Sequence, residues 1–390
     1  MKGRLARFVL FLLVATSAIG MSLAGCAEDK KDATRPEETA LERIQRIFPS
    51  SLHAKRAGKA TFYEAADGFK TLTGVPISEL ACIKCHAANY ADGTPVEHAT
   101  YAPGCKDCHA DPSDPGAAAV TDQICLGCHG RQGAEQTLFQ DVHRSSGMGC
   151  TDCHSEDEMH GDGNVYPSFL AAGASRVGCE DCHTPSAQGN IYHQTHLSKL
   201  HCSACHVKSV SSCYNCHFET EIVQEKKRFF EQKPRTGFKM LMNYEGKVHT
   251  ATFQALVDVD GETFVALAPF FGHSITKADI ACGDCHLQDG AGNPRLQEYV
   301  DGGAISVTSW NAGGSGAERL VGPTGVIPVT SDWKTAFRFA FLDYIGEASD
   351  PINGPVNLPS WSYHKEEMDG GHIVYGSPLT QDQMDALIEN

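Results

Sequence analysis

Cysteine and histidine recur along this chain in a fixed five-residue pattern, Cys-x-x-Cys-His. The pattern occurs eight times in 390 residues and uses all but one of the 17 cysteines. Two thiols followed at once by an imidazole can bind a metal, or can hold an organic group that carries one. The eight cysteine pairs are Cys82 and Cys85, Cys105 and Cys108, Cys125 and Cys128, Cys150 and Cys153, Cys179 and Cys182, Cys202 and Cys205, Cys213 and Cys216, and Cys282 and Cys285. The histidines that close motifs 1 to 8 are His86, His109, His129, His154, His183, His206, His217 and His286.

The histidine directly after the second cysteine of each pair distinguishes haem attachment from the other chemistries of paired cysteines. Paired cysteines could bind zinc or form disulfides, but neither requires a histidine at that position. Composition alone predicts about 0.04 chance matches, against the eight present. The two cysteines suit thioether bonds to the vinyl groups at one porphyrin edge, and the histidine suits the proximal bond to iron. The sequence therefore predicts eight covalently bound haem c groups.

The second axial ligand of each iron separates electron transfer from catalysis. An iron that only transfers electrons has both axial positions filled, whereas an iron that reacts with a small molecule keeps one open. Eleven histidines lie outside the motifs, enough for eight irons. Six of them, placed shortly before or after a motif, are the predicted second ligands: His98, His143, His160, His193, His196 and His273. The other histidines that could serve are His53, His201, His249, His364 and His372. Two imidazoles per iron favour low potentials. No catalytic residue is predicted.

The first 25 residues have the pattern of an export signal. A basic start with Lys2, Arg4 and Arg7 precedes an apolar run from Phe8 to Ala18, which is short for a membrane span. Cleavage would remove three positive charges and change the formal net charge from −16 to −19. Because nucleic-acid binding depends on basic contacts, nucleic acid is excluded as an expected partner. An acidic protein of this kind instead attracts basic partners.

The spacing of the motifs divides the chain into segments. Residues 26–60 are predicted to be an anchor and a tether, and 61–218 a seven-haem domain with gaps of 6 to 24 residues between motifs. Residues 219–281 are predicted to hold a helix (218–233) and a β-meander, with strands at 238–244, 247–258 and 262–267 joined by Glu245-Gly246 and Asp260-Gly261. Residues 282–390 hold motif 8 and a C-terminal region with predicted helices at 333–345 and 381–389. The predicted fold is mainly α-helical and irregular, packed around haems, with a small antiparallel β insertion.

The residues before Cys26 resemble the lipobox of bacterial lipoproteins, in the order Leu23, Ala24, Gly25 and Cys26. In that family the signal is cut before the cysteine, which is then lipidated. Ala27, at the next position, resembles the pattern of lipoproteins that are sorted to the outer membrane. The eight motifs together with this lipobox resemble octahaem and other multihaem c-type cytochromes of the bacterial lipoprotein type, over residues 23–26 and about 82–286. The resemblance implies an exported protein, lipid-anchored to the outer membrane on its periplasmic or cell-surface side.

Two functions follow as expectations. The first is electron transfer in anaerobic or extracellular respiration, with other cytochromes or outer-membrane electron-conduit components as partners. The alternative, similar to octahaem reductases and oxidoreductases, is reduction or oxidation of a small nitrogen or sulfur oxyanion at one open haem. Those families carry a long helical C-terminal region, whereas Gly302 to Gly325 here is rich in glycine.

Replacement of Cys26 tests the predicted anchor. We expect wild-type protein in the membrane fraction and Cys26→Ala in the soluble exported fraction, because the variant has no thiol to lipidate. Cell fractionation with immunodetection measures the change. A variant that stays in the membrane fraction to the same extent as the wild type would contradict the lipoprotein prediction.

Overall fold

The computed structural model describes residues 38–389 except 81, 82, 84, 175–176, 259, 279 and 353–357. The chain divides into two units, 1–43 and 44–390, and of the first the structure describes only residues 38–43. The α-helices are α1 (Ala40–Ile47), α2 (Leu52–Lys55), α3 (Ala57–Tyr63), α4 (Phe69–Thr73), α5 (Asp122–Leu126), α6 (Gly130–Leu138), α7 (Val142–Ser145), α8 (Glu156–His160), α9 (Ile191–His196), α10 (Cys202–His206), α11 (Phe218–Gln224), α12 (Cys282–Cys285), α13 (Pro294–Gly302), α14 (Trp333–Ala336) and α15 (Gln381–Glu389). All are short, and the described residues include no helix long and apolar enough to cross a membrane.

The strands lie in the second half of the chain. They are β1 (Cys213–His217), β2 (Phe238–Tyr244), β3 (Lys247–Val257), β4 (Thr263–Pro269), β5 (Ile305–Ser306), β6 (Ser309–Trp310), β7 (Leu320–Val321), β8 (Gly325–Pro328), β9 (Phe337–Arg338), β10 (Phe341–Tyr344), β11 (Trp361–Lys365) and β12 (Gly370–Ile373). Six of them form one mixed sheet. Five follow the order β12-β4-β3-β2-β8, and the sixth, β1, pairs with the C-terminal half of β3.

This sheet corrects the predicted fold class. The predicted meander is present, since β2, β3 and β4 pair antiparallel in sequence order. It is not a small insertion, however, because β1, β8 and β12 add parallel pairings to it from both flanking segments. The prediction of a mainly helical and irregular, haem-packed fold was therefore wrong. Parallel pairing joins segments far apart in sequence, so local patterns do not reveal it.

The hairpin between β2 and β3 follows the turn chemistry of its sequence. Two residues link the strands, and both have positive φ, 50° at Glu245 and 80° at Gly246. Such a type I′ turn matches the right-handed twist of the strands that it joins. The local sequence therefore fixes this pairing and its register.

Side chains from the two faces of the sheet enter different cores. On one face the large core includes Phe253, Val257 and Leu267, together with residues of the C-terminal segment. The opposite face contributes to what we call the second core, which also takes residues from the α3–α4 region. The second core comprises Tyr63, Phe69, Ile77, Leu80, Cys216, Phe218, Leu256, Phe264 and Ala266.

The prediction of a helix at 333–345 is also wrong beyond the first turn. The helix α14 ends at Ala336, and the chain continues as β9 and β10. Phe337, Phe339 and Phe341 recur with period two and are 0% exposed. Aromatic residues at this period favour strands in a buried setting, and here tertiary packing outweighs the helix signal.

Truncation of a core side chain tests the importance of the sheet. Phe253 is 1% exposed and contacts Tyr214, Phe238 and Phe339. We expect Phe253→Ala to lower the free energy of unfolding by about 3–5 kcal/mol, because it removes buried contacts and leaves a cavity. Denaturant unfolding followed by circular dichroism measures the loss. Val223→Ala, on an exposed side chain, is the matched control and should change stability by less than about 0.5 kcal/mol. Equal effects would mean that Phe253 does not lie in a packed core.

Candidate functional site

Most motifs form a tight turn. In motifs 2, 3, 4, 5 and 8 the backbone N–H of the motif histidine donates to the carbonyl of the first cysteine, at 2.8–2.9 Å. Motif 6 forms the helix α10. This turn places both cysteines and the histidine on one side of the backbone. The motif histidine can then face the same group that the cysteines hold.

An aspartate stabilises the turn in four of the motifs. It precedes the second cysteine, and its carboxylate accepts the backbone N–H of the residue before the first cysteine, at 2.7–2.9 Å. Asp residues favour such local bonds to backbone donors. The four residues are Asp107, Asp152, Asp181 and Asp284.

Seven of the eight motif histidines lie beside a histidine from outside the motifs. Six of these pairs have ring centroids 5.9–6.4 Å apart. In the order motif residue then partner, they are His109 with His160, His129 with His53, His154 with His273, His183 with His143, His206 with His193, and His286 with His196.

The spacing of these six pairs fits a metal ion between the rings. A bond between a metal and an imidazole nitrogen is about 2 Å long, so two imidazoles on opposite sides of one ion have centroids about 6 Å apart. Rings in close face-to-face contact are nearer to each other than this, although offset ring pairs elsewhere in the chain, such as Tyr63 and Phe69 at 6.0 Å, have similar separations. His201 and His249, which stack on each other, are 4.1 Å apart. The six pairs therefore have the separation that an iron ligated on both sides requires.

The seventh pair is closer. His86 and His98 have centroids 5.0 Å apart, and Nε2 of His86 lies 2.7 Å from Nδ1 of His98. The rings are hydrogen-bonded directly, and Nε2 of His98 lies 2.8 Å from a carboxylate oxygen of Glu225. An iron between these two rings requires them to separate by about 1 Å.

Hydrogen bonds at Nδ1 leave Nε2 available in several of these rings. Backbone carbonyls lie 2.7–3.1 Å from Nδ1 of five histidines, and a carboxylate oxygen of Glu158 lies 2.8 Å from Nδ1 of His154. Such a partner at Nδ1 fixes the tautomer and the ring orientation of a metal-ligating histidine. The five bonded to carbonyls are His86, His193, His196, His206 and His286.

Burial keeps several of the paired imidazoles neutral. Together with the charge of nearby His53, it lowers the pKa of His129 to about 4. Burial also lowers the pKa of His53, His160 and His273. His154 differs, because its hydrogen bond to Glu158 raises its pKa. A neutral imidazole has a lone pair available for a metal, so the lowered pKa values favour ligation.

Two buried carboxylates position His143 and His273. Asp141 accepts the backbone N–H of His143 at the start of α7 and also that of Ile275, at 2.9 and 2.7 Å. Glu135, on α6 and 0% exposed, accepts the backbone N–H of His273 at 3.2 Å. These bonds tie the loop before motif 8 to the helices around motifs 3 and 4. They explain how His273 reaches His154 despite their separation in sequence.

One short helix serves two motifs. Asn190 accepts the backbone N–H groups of Tyr192 and His193 and so begins α9. His193 and His196 lie three residues apart on this helix and therefore on neighbouring positions of its surface. They contact the histidines of motifs 6 and 8 respectively.

Cysteines of different motifs lie near one another. Burial is the largest cause that raises the pKa of five motif cysteines, and the charge of a thiol from another motif also raises each of them. The five, each with the thiol that acts on it, are Cys108 with Cys125, Cys128 with Cys85, Cys150 with Cys125, Cys153 with Cys182, and Cys285 with Cys205. The thiols of Cys179 and Cys202 also meet, with Glu180. These interactions connect motifs 1, 2, 3, 4, 5, 6 and 8 into one series.

The Cys179, Glu180 and Cys202 group could itself hold a metal ion, since its ligand atoms lie within 4.8 Å of one another. Both cysteines, however, are the first cysteines of motifs 5 and 6. A cysteine in a thioether bond has no thiolate left for a metal, so the two uses exclude each other.

Motif 7 departs from the others. It forms the strand β1, and the N–H of His217 bonds to the carbonyl of Arg228 rather than to Cys213. Cys216 belongs to the second core, whereas His217 packs against Tyr344 of the large core. Among the described residues, no second imidazole lies against His217. Because Cys216 and His217 face opposite sides of the sheet, this conformation does not fit one haem held by both.

The structure places the predicted residues as follows. Each of the six predicted second ligands lies against a motif histidine, and His53 is a seventh such residue that the sequence prediction did not select. The spacing of the motifs did not point to His53, because this residue lies far before motif 3 in the sequence. Cys26, the signal segment and Cys82 lie outside the described residues.

Comparison with models of known protein families, with curated proteins and with solved structures finds no match to this chain. The functional assignment consequently depends on its own motifs and geometry.

Substitution of Glu135 tests the buried carboxylate beside His273. Burial raises the pKa of Glu135 from 4.5 to about 7. As pH rises from about 4.5 to about 7, the unfolded chain ionises first, so the free energy of unfolding of the wild type falls. Glu135→Gln stays neutral, and we expect its stability relative to the wild type to rise over the same window. Unfolding at a series of pH values measures this difference. Glu156→Gln, with an exposed side chain, is the control, and the same pH response in both variants would contradict the assignment.

Proposed function

We propose that this chain is an octahaem c-type cytochrome that transfers electrons, with one haem c attached at each of its eight motifs. The observation that carries the proposal is the set of six histidine pairs spaced 5.9–6.4 Å apart. Each pair consists of a motif histidine and a histidine from elsewhere. Disulfide chemistry does not account for a second imidazole opposite six of the motifs, and a tetrahedral zinc ion would hold two imidazole centroids closer together than this spacing.

The residues divide into those that would attach the cofactor and those that would hold its iron. The cysteines of a motif would form the thioether bonds, and the motif histidine and its paired histidine would hold the iron, in every motif that has such a pair. The haem supplies a reversible one-electron couple when bound. Ligation by two imidazoles fills both axial positions and favours a low potential, which suits electron transfer over reaction with a substrate.

The nearness of cysteines from different motifs supports a continuous path. Electrostatic interactions between nearby thiols connect motif 1 to 3, 2 to 3, 3 to 4, 4 to 5 and 6 to 8, and the thiols of Cys179 and Cys202 connect motif 5 to 6. Motif 7 joins through motif 1, because Ile83 and Cys213 both pack against the second core, to which Cys216 belongs. Electrons entering at one end of this series could therefore leave at the other.

The setting of the proposed function follows from the N-terminal pattern. An exported, lipid-anchored cytochrome at the outer membrane would exchange electrons with other redox proteins in anaerobic or extracellular respiration. The formal charge of −16 favours basic docking surfaces on those partners.

A multihaem reductase or oxidoreductase of a small nitrogen or sulfur oxyanion is the second candidate function. The observation that favours it is His217, which has no second imidazole against it among the described residues. This function requires one iron with an open axial position. Titration of the haem-loaded protein with nitrite, hydroxylamine and CO, followed by absorbance and EPR, separates the two functions.

Removal of a distal histidine tests the electron-transfer assignment. We expect His273→Ala and His53→Ala to retain eight haems, of which one becomes high-spin and binds CO, because each variant opens one axial position. EPR and CO-difference spectra measure the change, and mass spectrometry counts the haems. His364→Ala is the control, since His364 is exposed and bonds to the carbonyl of Gly261. Variants that keep every haem low-spin would refute the ligand assignment.

A further inference from the structure

Glu158 lies directly beside the histidine of motif 4. It is on α8, and one oxygen of its carboxylate lies 2.8 Å from Nδ1 of His154, which precedes it by four residues. The Glu158 side chain is only 16% exposed, so its charge is weakly screened by solvent. An ionised carboxylate can only accept a hydrogen bond, so Nδ1 of His154 donates and Nε2 is left to bind the proposed iron.

The imidazoles of motifs 6 and 8 have a different kind of partner at Nδ1. In both pairs, each Nδ1 lies 2.9–3.1 Å from a backbone carbonyl oxygen. The pairs are His206 with His193 in motif 6 and His286 with His196 in motif 8. A carbonyl is a neutral acceptor, whereas a carboxylate carries a full negative charge and forms a stronger hydrogen bond. These two pairs therefore serve as a neutral reference for motif 4.

Other carboxylates near the six pairs do not reach hydrogen-bond distance. Three of them lie 3.7–3.9 Å from Nδ1 of a paired histidine. In the order carboxylate then histidine, they are Asp141 with His143, Glu156 with His160, and Glu135 with His273. Among the described residues, Glu158 is therefore the one carboxylate that hydrogen-bonds to an imidazole of these six pairs.

A negative charge at this position favours the oxidised form of the iron. Oxidation raises the charge on the iron by one, and the attraction between that charge and the carboxylate stabilises the oxidised state. The hydrogen bond also makes the imidazole a more basic ligand, and hydrogen bonds around the ligands are among the factors that set a haem potential. Both effects lower the potential, and a neutral carbonyl has a weaker effect of either kind.

We propose that Glu158 is a positioning residue that gives the iron of motif 4 a lower potential than the irons of motifs 6 and 8. The inference depends on the proposed function, because it assigns a role to a residue beside one of the proposed haems. Glu158 does not bind the iron itself. It acts through His154, because its carboxylate orients the ring and increases the donor strength of Nε2.

Motif 4 is a junction in the series of motifs. Its Cys150 lies near Cys125 of motif 3, and its Cys153 lies near Cys182 of motif 5. Motif 4 therefore connects motifs 1, 2 and 3 on one side to motifs 5, 6 and 8 on the other. An electron that follows this series first reduces the iron of motif 4 and then leaves it for the next iron, which is reduced in turn. Because a low potential makes the first step unfavourable, Glu158 controls the exchange of electrons between the two groups.

Redox titration of the haem-loaded, full-length protein, followed by EPR, tests the inference. The low-spin signal lost in His273→Ala, His193→Ala or His196→Ala identifies the haem of motif 4, 6 or 8. In the wild type we expect the motif 4 haem to have the lowest midpoint potential of these three.

Substitution of Glu158 should remove this difference. The amide oxygen of glutamine can still accept from Nδ1 of His154, so Glu158→Gln removes the charge and keeps the ring in place. We expect the motif 4 haem to remain low-spin and its potential to rise. The rise should correspond to at least a tenfold change in the ratio of reduced to oxidised haem, about 59 mV for one electron.

Glu156→Gln is the matched control, because Glu156 lies on the same helix and its side chain is 71% exposed, 3.8 Å from Nδ1 of His160. It should leave the potential of the motif 4 haem unchanged. The inference fails if Glu158→Gln leaves that potential unchanged, as a purely structural role would, or if Glu156→Gln raises it equally. It also fails if the wild-type motif 4 haem is not below those of motifs 6 and 8. In these cases the haems are still bound and low-spin, so the proposed function stands, whereas absence of haem from every motif would overturn both.

Discussion

The separation of two imidazoles across one iron is the constraint on which the proposed cytochrome depends. Two metal–nitrogen bonds fix the ring centroids about 6 Å apart, and a deviation of about an ångström removes one bond. Six pairs in this chain have that separation. Hydrogen bonds at Nδ1 and packing of the surrounding segments hold several of these rings in place. The short helices and capped turns around the motifs serve this purpose.

The positions of some imidazole rings depend on carboxyl groups whose burial is energetically unfavourable. Glu135 and Asp141 are buried carboxylates, and each accepts backbone N–H groups from the segment that carries His273. Removal of such a carboxylate leaves buried donors without partners, which costs about 1–3 kcal/mol for each. The network thus makes the placement of His273 specific. It also makes the stability of this region depend on pH.

The molecule divides its interior between two kinds of packing. Before β1 the elements are short and the motif turns are largely exposed, as Cys108, Cys128 and Cys153 illustrate. From β1 onward a mixed sheet and its aromatic core supply ordinary side-chain packing. Motif 7 lies at this boundary, since its residues form a strand of the sheet. Its departure from the other motifs follows from that position, because a strand alternates its side chains between the two faces.

The sequence by itself determined the features that depend on neighbours along the chain. The motif turns, the hairpin at Glu245 and Gly246, and the C-terminal helix α15 all follow from local spacing and turn chemistry. The tertiary structure alone decided which histidine faces which motif, since His53 and His273 come from segments far from His129 and His154. It also decided that β1, β8 and β12 join the meander in parallel. Long-range pairings are selected by burial and by the competition between many possible contacts, and a residue's neighbours in sequence carry little information about either.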